Sequence, residues 1–181
     1  MHGGTIVDPI DETIEAFEQL VQEGKIRYYG ISSIRPNTIR AYAWRSNACS
    51  VMMQYSLLDR RPEENCLSFL KKKNIGVLAR GSLCSGLLIN KPAKPFLNYS
   101  EEQVSTAAKA IERMASDKRS KTQVAINFVL HNPAITSAIV GIRTYEQLKE
   151  LRGLFNNDPI STTEMQALQS VLPLNYYGLH R

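Results

Sequence analysis

The sequence predicts an α/β protein in which helices cover a parallel sheet. Short, almost wholly apolar strand patterns alternate with helical patterns along the chain. There are four such strands, each followed by a helix, at intervals of about 25 residues. Strands that are apolar throughout are typical of parallel sheets, because helices cover both faces. Four units fit a small open sheet or half of a closed barrel, and periodicity does not choose between the two.

Length and composition limit the class of protein further. The chain has 181 residues, of which 43% are hydrophobic and 22% charged. These values are ordinary for a folded domain, and they exclude a disordered tail, a collagen-like repeat and a disulfide-stabilised miniprotein. A complete eight-unit βα barrel needs at least about 200 residues, so the length excludes one. We therefore expect a single domain over residues 1–181.

The first half of the chain supplies an initial helix and two strands. The helix is expected after Asp8-Pro9 and ends before Gly24, with apolar residues at helical spacing between them. Residues 26–31 are predicted as the first strand because they are rich in aromatic and β-branched side chains. Proline suits the first turn of a helix over 36–45. Residues 50–54 form the second predicted strand.

The second half repeats the alternation. Helices are indicated by helical spacing and by capping residues such as Ser100. Strands are indicated by short apolar runs. The predicted elements are a helix from Pro62 to the lysine cluster 71–73, a strand at 75–79, helices after Ser100 and around 124–129, a strand at 137–140 and helices over 144–154 and 162–171. We expect a mobile tail at 175–181, with Tyr176 and Tyr177 as surface or docking residues.

Charge and cysteine content argue against several functions. The net charge is +5, and its basic clusters, 71–73 and 118–121, fit solvated helix ends rather than a nucleic-acid surface. Three widely spaced cysteines suit neither a disulfide framework nor a metal site. No apolar run approaches the roughly 18 residues of a membrane span. The first residues lack the pattern of a signal peptide. We therefore expect a cytoplasmic protein with no membrane, nucleic-acid or metal partner, and Cys84 as a packed thiol.

Four corners that follow the predicted strands could bind a ligand. Parallel α/β proteins collect ligand contacts just beyond the carboxyl ends of their strands. The corners are Ser32-Ser33, Gln54, the segment 80–83 and the segment 141–143. In the last corner a glycine, an arginine and a following helix could form an anion site or a plain turn.

The same corners resemble those of the aldo-keto reductases, which are (β/α)8 barrels that reduce carbonyls with NADPH. Residues 24–33, 54–58 and 81–88 fit segments of that family. Residues 139–148 are close to its IPGxRxxxQLxEN signature. Four matches in the right order at the right corners make the resemblance specific, and it extends from His2 to about Leu154. It implies strands five to eight of the barrel with their helices, a C-terminal helix and tail over 155–181, and NADPH as cofactor.

The resemblance assigns residues to the nicotinamide end of the cofactor. Ser32 and Gln54 match residues that hold the carboxamide, and Ser33 stands where the family usually has Asn. Arg80 matches the residue that packs against the nicotinamide ring, and Gly81 matches the residue that follows it. Many members have an aromatic residue at the position of Arg80.

The resemblance also assigns the rest of the cofactor site. Ser82 and Leu83 match the loop along the pyrophosphate. Gly141 and Arg143 match the phosphate site, with Arg143 placed for the adenosine 2′-phosphate. The residues matched to the adenosine end are Gln147 and Glu150, and Leu151 replaces the final Asn of the signature.

The family's catalytic groups are an Asp, a Tyr acid, a Lys and a His. Only His2 matches this tetrad, because the other three lie in the early strands that this chain does not contain. The resemblance thus implies the cofactor-binding half of a carbonyl reductase, inactive when isolated. A non-catalytic nucleotide-binding or interaction module is the alternative.

Three origins remain open for such a chain: a truncated reductase, an isolated module, or a half-barrel. A half-barrel would pair with a second copy or with an N-terminal half through its exposed sheet edges. The carbonyl substrate is not readable from the sequence.

Overall fold

A four-stranded parallel sheet organises the molecule. The computed structural model describes residues 1–155 and 160–181. Within them the strands are β1 (Gly30–Ser32), β2 (Ser50–Gln54), β3 (Gly76–Arg80) and β4 (Ile135–Ile139). They lie side by side in chain order, and each neighbouring pair is parallel. The predicted α/β class with a parallel sheet is confirmed.

Seven α-helices accompany the sheet within the described residues. Ser100 and Ser120 begin two of them with reciprocal side-chain to backbone caps, because glutamine stands three residues after each serine. None of the described helices is long and apolar enough to cross a membrane. The helices are α1 (Ile10–Gln22), α2 (Pro36–Arg45), α3 (Cys66–Lys72), α4 (Glu101–Arg113), α5 (Lys121–Leu130), α6 (Tyr145–Arg152) and α7 (Thr162–Ser170).

The two faces of the sheet differ in burial. Alternate residues of β1–β3 are almost fully buried and belong to the core shared with the helices; they are Ile31, Val51, Met53, Val77 and Ala79. The intervening residues, among them Ser32, Met52 and Gln54, are half-buried. Successive side chains of a strand point to opposite faces. One face therefore carries the helices and the other stays partly open.

The first three residues extend the sheet beside β1. His2 pairs in parallel with Ser32, and the Gly3 N–H donates to the Ser32 carbonyl at 2.9 Å. The Ser32 N–H donates to the Met1 carbonyl at 2.7 Å. These bonds fix the backbone of His2 at the sheet edge.

Two strand predictions are wrong in position. Residues 26–29 precede β1 instead of forming it. There the ring of Tyr29 stacks on Phe17, at 5.3 Å between centroids, and its hydroxyl binds Glu18. The aromatic residues predicted a strand at this position, but Tyr29 packs against α1 instead. The fourth strand runs from Ile135 to Ile139 rather than over 137–140, and its register with β3 is irregular beside Val77.

The expectation of a mobile tail is wrong for Asn175 and Tyr177, and of the two alternatives for Tyr177 the docking one holds. Asn175 is only 1% exposed, and its amide donates to the Leu58 carbonyl at 3.2 Å. Its oxygen accepts from the Arg60 N–H at 2.9 Å. Tyr177 is buried beneath Arg61, whereas Tyr176 is exposed as predicted. The tail is therefore anchored on the loop that follows β2.

The single domain over 1–181 and the division at 155 stay predictions. Residues 156–159 within the predicted C-terminal segment lie outside the described residues. Helix α7 confirms the expected helix at 162–171 to within one residue.

The tail anchor yields a stability prediction. Asn175→Ala removes both hydrogen bonds and leaves the buried Leu58 carbonyl without its partner, so we expect a loss of about 2–3 kcal/mol in the free energy of unfolding. Urea denaturation measures it. Tyr176→Ala, at the exposed neighbouring position, is the control and should change stability by less than about 0.5 kcal/mol. Equal effects of the two variants would contradict the anchor.

Candidate functional site

The parallel register brings the four predicted corners to one edge of the sheet. Gln54 pairs with Arg80, and Arg80 pairs with Ile139 of β4. The chain leaves each strand at this edge, where ligand sites form in parallel α/β proteins. The site residues predicted from the sequence form two groups here. One lies beside the ends of β3 and β4, and the other lies beside the end of β1 and His2.

The larger group lines a cleft of about 660 Å³ between the loops that follow β3 and β4. This volume is within the range of small-molecule sites, roughly 300–1,000 Å³. Six predicted residues line it: Gly81, Ser82, Leu83, Gly141, Arg143 and Gln147. A cavity of about 270 Å³ adjoins it, shares Leu83, Gly141 and Gln147, and adds Glu150. Seven of the eleven predicted cofactor residues therefore lie along one continuous cleft.

Ser82 is the most informative residue of the cleft. Its side chain is 2% exposed, and its hydroxyl oxygen has no hydrogen-bond partner within the described chain. A buried hydroxyl without a partner is costly, so such groups usually serve a ligand or a water molecule. Among the described residues Glu64 and Tyr177 have such an atom too, but Ser82 is the one of the three that lines the cleft.

The backbone beside Ser82 is unusual. Gly81 has a φ of +74°, and a Cβ there would lie 3.3 Å from Cγ of Gln54. Cys84 and Ser85 also adopt positive φ, at 48° and 56°. Such conformations are costly in residues other than glycine and cluster at functional sites. The loop after β3 is thus held in a shape that its own residues do not favour.

The opposite wall of the cleft is built by the start of α6. The Arg143 N–H donates to Oε1 of Gln147 at 2.8 Å, and Thr144 Oγ1 accepts from the Gln147 N–H at 3.3 Å. Gln147 therefore fixes the turn in which Gly141 and Arg143 stand. The Arg143 side chain is exposed at the mouth of the cleft.

Glu150 is held by residues that the sequence did not indicate as site residues. Ser120 Oγ donates to its carboxylate at 2.5 Å, and the Gln123 side chain donates to its backbone carbonyl at 2.8 Å. Ser120 also caps α5 and lines the smaller cavity. A serine with a glutamine three residues later predicts the cap, but no local pattern predicts the contact between Ser120 and Glu150, which are 30 residues apart.

The second group of predicted residues surrounds a cavity of about 360 Å³. Four of them line it: His2, Ser32, Ser33 and Arg80. Gln54 joins the two groups, because its side-chain oxygen accepts from Arg80 Nη1 at 3.2 Å and its Cγ faces Gly81. The Ser33 hydroxyl accepts from the Arg35 N–H at 3.1 Å, so it is already used in the turn before α2. The sequence missed Arg35, which lines the same cavity.

The described residues add neither a reactive thiol nor a metal centre to these cavities. Burial raises the pKa of the Cys84 thiol to about 11, and that of Cys66 to about 11 as well. Cys84 contacts Ser56 at 3.0 Å and is 3% exposed, as expected of a packed thiol. No group of three metal-binding side chains occurs among the residues that the structure describes.

The chain belongs to the aldo/keto reductase family, whose model matches residues 2–173. It is 47% identical to the uncharacterized oxidoreductase YqkF of Bacillus subtilis, over all of this chain and 61% of that protein. It is 29% identical to L-galactose dehydrogenase of Arabidopsis thaliana, over 81% of the chain and 47% of that enzyme. The chain thus spans about half to three fifths of the length of these relatives.

A solved structure gives the architecture. The holo form of the aldo-keto reductase AKR11C1 from Bacillus halodurans superposes with a TM-score of 0.89 at 40% identity, over 99% of this chain and 62% of that one. The four parallel strands and their helices therefore form part of a (β/α) barrel, as the resemblance implied. The specific roles of the site residues stay predictions.

Thiol labelling tests whether a cysteine takes part in the site chemistry. Because Cys66 and Cys84 are buried and their pKa values are raised to about 11, only the exposed Cys49 should react with iodoacetamide at pH 8. Mass spectrometry should find one modified thiol in the folded chain and three in urea. Cys49→Ser should leave none in the folded chain. Rapid labelling of Cys84 would contradict its assignment as a packed thiol.

Proposed function

We propose that this chain is the cofactor-binding half of an NADPH-dependent reductase of carbonyl compounds. Membership of an oxidoreductase family supports the reaction class. The observation that carries the proposal is the continuous cleft in which Ser82 presents a buried hydroxyl without a partner. Such a cleft suits a long ligand with polar groups along its length, as a dinucleotide is.

The residues of the cleft fit the phosphates of this cofactor. The Ser82 hydroxyl can donate to a phosphate oxygen, and Gly141, with nothing within 4 Å of its Cβ position, lets the backbone approach closely. The Arg143 guanidinium suits the adenosine 2′-phosphate, because its fork of donors matches phosphate oxygens. Leu83 and Gln147 complete the walls between these groups.

The adenosine end fits the smaller cavity. Ser120 holds the Glu150 carboxylate by donating to one of its oxygens at the cavity wall. A carboxylate held in this way can accept from an amino group such as that of adenine. Leu151 lines the same cavity and supplies an apolar surface where the family signature has Asn.

The nicotinamide end would lie between the cleft and His2. There Ser32 and Gln54 can pair with a carboxamide, and Arg80 and Gly81 would pack beside the ring; Ser33 shapes the turn beside them. When bound, the cofactor supplies a hydride to the carbonyl carbon. The His2 imidazole is exposed beside Ser32, where it can donate a hydrogen bond to the carbonyl oxygen.

A binding module without catalysis is the second candidate. No tyrosine or lysine lies among the described residues that line the cavity of His2, so the chain itself offers no acid of the family's type there. The discriminating measurement is NADPH oxidation by this chain with an added aldehyde. Turnover by the chain alone would exclude the non-catalytic role.

We also infer a cytoplasmic location and a protein partner. Three free thiols suit a reducing compartment. Within the described residues β4 lies at an edge of the sheet. The apolar residues beside it are 43–69% exposed; they are Ile139, Ile142, Tyr145 and Leu148. An unpaired edge with exposed apolar residues favours association. A second copy or an N-terminal half of a barrel would cover it.

Cofactor binding gives a prediction for Arg143. Arg143→Gln removes a charged partner of the 2′-phosphate, so the NADPH dissociation constant should rise by about tenfold or more while that of NADH stays unchanged. Quenching of intrinsic fluorescence measures both. Arg152→Gln, at the exposed end of α6, is the matched control. An equal effect of Arg143→Gln on both nucleotides would contradict the assignment to the 2′-phosphate.

Association gives a second prediction. Analytical ultracentrifugation of the chain at micromolar concentration should show a dimer, or a monomer that becomes a heterodimer when an N-terminal half is added. Ile139→Lys should weaken either complex by placing a charge at the β4 edge. A chain that stays monomeric in both experiments would contradict the inferred partner.

A further inference from the structure

The cavity that contains His2 has a strongly positive lining. Its residues are His2, Ser32, Ser33, Ile34, Arg35, Met52 and Arg80, so it holds two guanidinium groups and one imidazole but no carboxylate. Within the part of the chain that the structure describes, no carboxylate forms an ion pair with either arginine. Among the described residues, the lining of this cavity therefore carries positive charge and no carboxylate.

Arg35 and Arg40 are half-buried without an ion pair among the described residues, whereas three other half-buried or buried arginines are paired. Arg60 binds Glu63, Arg61 binds Asp59 and Arg119 binds Glu164. Arg35 is also half-buried, yet its one side-chain hydrogen bond given by the structure goes to a neutral group, the Gly4 carbonyl, at 3.1 Å from Nη1. A guanidinium has five N–H donors and this bond uses one of them, so Arg35 has donors to spare for an anion from outside.

Asp8 is an acidic neighbour of Arg35 outside the cavity lining: hydrogen bonds from Thr5 lower the pKa of its carboxyl group, and the charge of Arg35 lowers it further. Asp8 is exposed, and its carboxylate accepts from the Thr5 N–H and hydroxyl, at 2.6 and 2.9 Å. On its other side Arg35 lines a second cavity, of about 360 Å³, together with Arg61 and His180. The carboxylate of Asp59 is paired with Arg61, so it is not free to pair with Arg35.

Arg80, the second guanidinium, is bound to a neutral group as well. Its Nη1 donates to the side-chain oxygen of Gln54 at 3.2 Å. Arg80 and Arg35 follow different strands and open on the same cavity as His2. A small molecule that reaches His2 thus meets two guanidinium groups in a lining that, among the described residues, contains no carboxylate.

We propose that the carbonyl substrate carries an anionic group, a carboxylate or a phosphate, which Arg35 binds while the carbonyl lies beside His2. This rests on the proposed reductase function and deepens it by naming the substrate class. The planar guanidinium offers two parallel donors to either anion, and its backbone is fixed by the Ser33 hydroxyl at the start of α2.

A matched pair of aldehydes tests the proposal. 4-Carboxybenzaldehyde and its methyl ester differ by one charge, and calorimetry with the NADPH-saturated chain measures both dissociation constants. We expect the acid to bind about tenfold tighter than the ester, since one charge-assisted contact distinguishes them. 4-Formylphenyl phosphate is the second anion, and tighter binding of it than of the acid would identify phosphate as the preferred group. The preference for an anion should decline as salt is raised.

Variants assign the effect to Arg35. Arg35→Gln should abolish the preference for the charged aldehydes without changing the NADPH dissociation constant, and Arg35→Lys should restore part of it. Arg45→Gln, which removes an exposed arginine from the last turn of α2, should behave as wild type. Thermal unfolding checks that each variant is folded.

The outcomes separate the two proposals. Failure of NADPH to bind would overturn the proposed function itself. If NADPH binds, three results would overturn the anionic substrate alone. They are equal affinity for the acid, the phosphate and the ester, no binding of any aldehyde, and an Arg35→Gln variant that keeps the preference.

Discussion

The parallel pairing of β2 with β3 and of β3 with β4 is the constraint on which the site depends. It sets Gln54 beside Arg80 and Arg80 beside Ile139, so three chain segments leave the sheet together. The loops that follow then face each other across the cleft. A shift of one residue in this register would turn Gln54 and Arg80 to the buried face and separate the two groups of site residues.

Some polar groups of the site are hydrogen-bonded within the chain and others keep free donors. The free donors support the binding of a ligand. Gln147 and Glu150 are held by Arg143 and Ser120 through short contacts within the chain. Ser82 and Arg35 keep capacity that the described chain does not fill. Unsatisfied buried atoms also occur at Glu64 and Tyr177, so Ser82 supports a ligand site only through its place in the cleft together with its free hydroxyl.

Local patterns in the sequence predicted most of the fold. Ser100 and Pro36 gave the starts of two helices, and the apolar run at 50–54 gave β2, because caps and short strands depend on adjacent residues. The anchored tail was missed because Asn175 bonds to Leu58, 117 residues away. Similarly, Ser120 and Arg35 join the site through contacts that only the folded chain creates. The corners themselves were predictable, since parallel strands end at one edge.

Amide chemical-shift mapping of NADPH binding tests the central claim most directly. If the cleft is the cofactor site, titration of the isotope-labelled chain should shift the amide signals of Ser82, Gly141 and Gln147, together with that of Ser32 at the far end. Signals from the exposed side of α1, such as that of Glu15, should not move. Absence of shifts along the cleft at saturating NADPH, or shifts confined to another surface, would contradict the account.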